Sequence, residues 1–180
     1  MSLWFDEYVT EQDQGTVQAL TVHPAFAVGL RVTAGVLWLS NVGWKVPPDF
    51  GRSAERCSGL CRLVEEGADR GVLAPWAWLM DNVVSPQLAV FGYLTLLTEF
   101  TLVVLLLSGL LTRAAALLGA AQSAAIGLSV ANAEGEWYWS YLLMIALHIA
   151  VFAMAAGRFY GVDALLRQRP DLPRLVRWAT

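Results

Sequence analysis

The chain predicts an all-α fold, a four-helix transmembrane bundle with an extracytoplasmic loop that carries amphipathic and interfacial helices. Three observations carry that prediction. Of its 180 residues 57% are hydrophobic and 15% charged, and the mean hydropathy is +0.51, which is more apolar side chain than a soluble core of this size can hide. Four segments approach the roughly 20 apolar residues of helix that a bilayer core about 30 Å thick requires. The links between the second, third and fourth segments are short, which makes them antiparallel neighbours.

In chain order, residues 1–22 contain Asp6, Glu7, Glu11 and Asp13 but no Lys or Arg, the wrong flank for a secretory leader, and are expected to form a short polar tail. The expected spans are 24–44, 88–111, 113–131 and 137–157. Pro24 suits a first helical turn, where its missing N–H has no partner to lose, and Pro86 does the same ahead of the second span. In the outer loop, 45–87, the residues Ala54, Cys57, Leu60, Cys61, Val64 and Ala68 recur at helical spacing from Arg52 to Ala68, which predicts an amphipathic surface helix. The stretch PWAWLMDNVV from Pro75 is too short to span, and its Trp76 and Trp78 favour the headgroup level, so the two pieces are expected to form a lid over the bundle. The tail is 158–180. With no internal repeat and no low-complexity tract, 1–180 reads as one membrane domain.

Orientation rests on two basic groups. Arg113, Arg158, Arg167, Arg169, Arg174 and Arg177 fall on one side of the bundle, and Lys45, Arg52, Arg56, Arg62 and Arg70 on the other. The second group is balanced locally by Asp49, Glu55, Glu65, Glu66 and Asp69, so both termini are expected in the cytoplasm.

Several function classes are set aside. A net charge of −3 and a pI near 5.3 do not suit a nucleic-acid binder, which neutralises phosphates with Lys and Arg. Two cysteines are too few for a disulfide framework, a four-thiolate zinc site or an iron–sulfur cluster. His23 and His148 lie far apart in the chain, which argues against a two-histidine haem site. Neither a GxGxxG nor a Walker A pattern occurs, so no metal, haem, flavin or nucleotide site is visible.

Glu99 lies inside LTEFTLVVLLLSGLLTR, where an ionised group costs at least ~2.5 kcal/mol on insertion scales and needs a partner or a task. Counting about 1.5 Å of rise per residue from the inner boundary puts Arg31 at roughly 10 Å, Glu99 and Gln122 at about 13 Å and His148 at about 14 Å. Each span thus contributes one polar side chain to a single expected layer, with Arg31 as the partner of Glu99. Such a layer serves either as a hydrogen-bonded clamp between helices or as a site that moves protons.

The segments LRVTAGVLWLSNVGWKVPPDFG, TEFTLVVLLLSGLLTR and GRFYGVDALL, in this order from Ala25 to Leu166, resemble the DoxX/DoxD family of four-span membrane proteins. That family includes the DoxD subunit of archaeal thiosulfate:quinone oxidoreductase. The resemblance implies a prokaryotic plasma-membrane protein linked to quinone or sulfur redox chemistry, and it brings no agreed catalytic residues. The expected function is a membrane subunit passing electrons from a thiosulfate-like compound to quinone. Quinone is then the membrane substrate, Glu99 and His148 relay its protons, and Arg31 and Gln122 hold its oxygen. Lys45, Arg52, Arg56 and Arg62 would attract the sulfur dianion, or simply form a solvated loop face. Cys57 and Cys61 are either buried packing residues or an oxidised, redox-active thiol pair. The alternative function is a non-catalytic anchor whose Arg-rich tail docks a soluble redox enzyme. A second subunit, an oligomer and surrounding lipid are the expected partners, and a small-solute transporter lacks the broken helices and repeats such proteins use.

Overall fold

The computed structural model describes residues 23–180, so the expected polar tail lies outside the described residues. The protein has an all-α, membrane-type fold built on four long helices: α1 (Pro24–Val42), α4 (Leu88–Ser108), α5 (Thr112–Val130) and α6 (Tyr138–Ala153). Short helices α2 (Leu60–Arg70) and α3 (Ala74–Leu79), the latter running into a π-helical turn at Met80–Val84, lie between α1 and α4. After α6 come α7 (Val162–Leu166) and α8 (Arg174–Ala179). The helices α1, α4 and α5 have 19, 21 and 19 residues and are long and apolar enough to cross a membrane; α6 is apolar but has 16.

α1 starts where expected, with Pro24 in its first turn and His23 Nδ1 accepting the Ala25 N–H. α4 is apolar all round, as a lipid-immersed helix must be, and stops at Gly109, whose φ of +68° carries the chain into the turn. The broadest pairings are α1 with α4 and α5 with α6; α4 against α5 and α1 against α6 close the ring. Small residues make the contacts tight. A Cβ on Gly35 would fall 2.7 Å from Leu107 Cδ2, and the His148 ring presses on Gly119. Trp38, Leu102, Leu106, Ala116 and Val151 fill the interior, while Phe26, Leu97, Phe100, Leu142 and Ile149 face outward as lipid-facing surface.

A second apolar cluster of Phe50, Leu60, Cys61, Val64, Met80, Val84 and Leu88 ties the loop segment to the start of α4, with Phe50 seated on Gly92. α2 packs on α5, where Gly67 meets Ser129, and Trp76 Nε1 donates to Ser129 Oγ at 3.0 Å. The loop thus covers the ends of α4 and α5, as a lid would. The amphipathic helix is shorter than expected, beginning at Leu60 rather than Arg52. Gly51 and Gly59, with φ of +87° and +56°, turn the chain back on itself, and Arg52 pairs with Cys57 across that reversal.

Candidate functional site

Glu99 is fully buried near the middle of α4, about 16 Å of helix from Leu88 and about 13 Å from Ser108. Its partner is Lys45, whose Nζ donates to Glu99 Oε2 at 2.7 Å and to the Asn41 carbonyl at 2.9 Å while lying 4.0 Å over the Trp44 ring. This corrects two expectations. Arg31 is not the counter-ion of Glu99, and Lys45, only 4% exposed, does not belong to the basic surface of the loop. Glu99 Oε1 has no hydrogen-bond partner among the described residues.

The cause is axial register. Gly35 stands level with Leu107 in antiparallel helices, so Glu99, eight residues back along α4, stands level with Gly43, eight residues on along α1. There α1 has ended, and Lys45, two residues later, turns back into the bundle. Four residues before Gly35, Arg31 lies about 6 Å the other way, beside the α4–α5 turn.

His148 of α6 forms the second buried polar pair. Its Nε2 accepts the Trp38 indole N–H at 2.9 Å, and its Nδ1 lies 2.7 Å from the Met144 carbonyl. An indole only donates and a carbonyl only accepts, so the ring is the neutral tautomer with its proton on Nδ1. Gly119 makes room for the ring on α5. Gln122, three residues further along α5, is half-buried and makes no side-chain hydrogen bond among the described residues. Arg31 and Glu99 are therefore not brought together, and the single four-residue layer does not form. Glu99 has Lys45, and His148 has Trp38.

Arg31 belongs to a polar knot at the tail end. Its guanidinium, 3% exposed, is wedged between Gly109 and Gly161 and donates from Nη2 to the Tyr160 carbonyl at 3.4 Å. Beside it the buried Asp163 carboxylate accepts the Leu111 N–H at 2.7 Å and the Thr112 N–H at 2.9 Å, capping the start of α5. Leu111 is held at φ +46°, and the Asp163 N–H donates to the Gly109 carbonyl at 2.9 Å. Gly157 leaves space for Thr112 and Asp163. The residues of SGLLTR and GRFYGVD thus form one junction. Asp163, Thr112 and Trp38 were missed in the sequence. A signal for the first was present, since Asp163 is the only acid in GRFYGVDALL.

Of the remaining loop bases, Arg52 clamps the Ser85 carbonyl and hydroxyl at 2.8 and 3.1 Å, Arg56 is exposed, and Arg62 lies on the exposed side of α2. Cys57 and Cys61 are joined in a disulfide. Regular helix spacing would have disfavoured the bridge, but Cys57 precedes α2 and lies in the reversed segment, which brings its Sγ to Cys61. Cys57, Cys61 and Glu65 cluster within 4.8 Å, yet both sulfurs are committed to the bridge and offer no thiolate to a metal.

A family model described as TQO small subunit DoxD matches residues 74–174, more than half of the chain. The match covers α4, α5, α6 and the tail-end junction, including Glu99, Gln122, His148 and Asp163, and leaves out Arg31 and Lys45. No curated protein and no solved structure matches the chain.

Proposed function

Because the chain belongs to the DoxD family, we propose that it is the integral membrane subunit of an oxidoreductase that passes electrons from a reduced sulfur compound of the thiosulfate class to membrane quinone. The observation that carries this reading is the buried Lys45–Glu99 pair with its free Oε1. Reduction of a quinone takes up two electrons and two protons, so a site inside the membrane needs groups that hold and deliver protons there. Glu99 is a carboxylate kept in the apolar interior by one ammonium neighbour, with one oxygen left to bind a proton, a water or a quinol hydroxyl. Lys45 holds that carboxylate in place and supplies the compensating charge.

His148 is the second proton-carrying group of the site, fixed by Trp38 so that its ring cannot swing. Gln122, half-open on α5, is the candidate donor to a quinone carbonyl. Arg31 is assigned to the tail-end junction rather than to quinone. The loop carries the sulfur-side chemistry, with Arg52, Arg56 and Arg62 as the cationic groups and the Cys57–Cys61 bridge nearby.

The loop is assigned to the extracytoplasmic side of a prokaryotic plasma membrane and the arginine-rich tail to the cytoplasm. The disulfide supports this, because such bonds persist in oxidising compartments. A second subunit bringing the sulfur-oxidising centre completes the assembly. The test is thiosulfate-dependent quinol formation by the purified protein, alone and with its co-purifying chains. The expected result is turnover that Glu99→Gln abolishes in a folded protein. Full turnover in Glu99→Gln would remove the carboxylate from the mechanism.

A further inference from the structure

At the tail end of the bundle three guanidiniums converge on one short turn. Arg113 Nη1 reaches the Trp178 carbonyl at 3.5 Å, Arg158 Nη2 donates to the Thr180 carbonyl oxygen at 3.0 Å, and Arg167 Nη1 donates to the Arg177 carbonyl at 2.9 Å and lies 3.3 Å from Thr180 Oγ1. Among the described residues none of the three forms an ion pair, and Arg113 Nε is buried with no partner. The carboxylate close by, Asp163, accepts the Leu111 and Thr112 N–H groups and makes no direct ion pair with the three, so its charge offsets theirs only in part. A single negative charge at Thr180 would still leave the triad cationic. Arg169, Arg174 and Arg177 are exposed around it.

The cations are interleaved with apolar surface. Tyr160 is 85% exposed, Leu165 65%, Leu175 78% and Trp178 47%, and the Arg113 guanidinium stacks 4.3 Å from the Phe152 ring centroid. This patch lies where α5 begins and α6 ends, at the level where a membrane's hydrocarbon gives way to headgroups. Aromatic and leucine side chains at that depth insert among acyl chains, while guanidiniums above them bind phosphate in bidentate fashion.

We propose that Arg113, Arg158 and Arg167 form a binding site for the phosphate of an anionic phospholipid, with Trp178, Leu165 and Leu175 seating its acyl chains. Like charges held together repel one another: burial, then the neighbouring Arg167 and Arg113, lower the pKa of Arg158, and Asp163 offsets this only in part. A bound phosphate relieves that repulsion, so the lipid stabilises the tail-end junction. Three guanidiniums near a lipid phosphate amount to on the order of a hundredfold in affinity over a neutral lipid. The site is independent of quinone chemistry, since Glu99 lies nearly three helical turns away from the α4–α5 turn.

The test uses the full chain in neutral detergent, with thermal unfolding followed on addition of phosphatidylglycerol, phosphatidylcholine or inorganic phosphate. Phosphatidylglycerol is expected to raise the midpoint and phosphatidylcholine to leave it unchanged. Arg113→Gln/Arg158→Gln/Arg167→Gln is expected to lose the response, and the matching triple Lys variant, which keeps the charge, to retain part of it. Arg62→Gln, in the loop, is expected to respond like the parent. An equal rise in the triple Gln variant, or equal rises with both lipids, would overturn the proposal. So would inorganic phosphate reproducing the full effect, which would make the ligand a free anion.

Discussion

Gly35 of α1 lies against Leu107 of α4 so closely that a Cβ would sit 2.7 Å from Leu107 Cδ2 and 3.4 Å from its backbone nitrogen. That contact sets how far α1 has slid along α4, and through it which cation reaches Glu99. Gly35→Leu is expected to push the helices apart and cost about 1–3 kcal/mol, as overpacking does. Leu107→Ala in the same chain should recover part of the loss. Thermal unfolding of the four members of that cycle in detergent is the check, and strict additivity would show that the two residues do not touch.

The ion pair makes a sharper case. Lys45→Leu or Glu99→Leu alone strands a buried charge and is expected to cost about 3–5 kcal/mol, whereas the double Leu variant should recover most of it. Arg31→Leu combined with Glu99→Leu should show no such rescue, because the two groups have separate partners and their effects add. Recovery in the Arg31 pair and not in the Lys45 pair would reverse the assignment.

His148 depends on Gly119. Gly119→Ala places a methyl group into the imidazole, so the ring must leave Trp38, and quinol formation is expected to fall with it. Gly29 has open space around its Cβ position, and Gly29→Ala should be neutral or stabilising by up to about 1 kcal/mol. Similar behaviour of the two variants in stability and turnover would contradict the packing.

Asp163 holds two backbone N–H groups and one residue, Leu111, in a left-handed conformation. Asp163→Ala is expected to lose about 3 kcal/mol, since each hydrogen bond to a charged group contributes roughly 1.5–3 kcal/mol. Asp163→Asn, which keeps one acceptor oxygen, should lose less. Trypsin cleavage after Arg167 reads the same event, and should speed up as the junction loosens.

The disulfide reports topology. In intact cells a membrane-impermeant maleimide should label Cys57 and Cys61 only after an impermeant reductant has opened the bridge. Labelling without reductant would mean free thiols. No labelling after reductant, with labelling restored on lysis, would place the loop in the cytoplasm.

By itself the sequence determined that this chain lives in a membrane and, to within a few residues, where its four long helices run. Apolar load and span length are additive properties of neighbouring residues, and Pro24 marks an end through local backbone preference, whereas Gly109 stops α4 three residues before the expected end at 111. It also determined that Glu99 needs a partner, because the cost of a lone charge in lipid does not depend on the fold. Which partner was decided only in three dimensions. Arg31 and Lys45 stand fourteen residues apart on and just beyond one helix, and counting from the span ends assumed that all four helices begin and end at the same depth. The contacts of Gly35 with Leu107 and of Phe50 with Gly92 break that assumption, letting the loop after α1 sink beside α4 and carry Lys45 inward. The choice between packed thiols and an oxidised pair at Cys57 and Cys61 was left open for the same reason. Spacing along a chain predicts distance only while the helix continues, and the reversal between Gly51 and Gly59 is a tertiary event closed over Phe50 and α4.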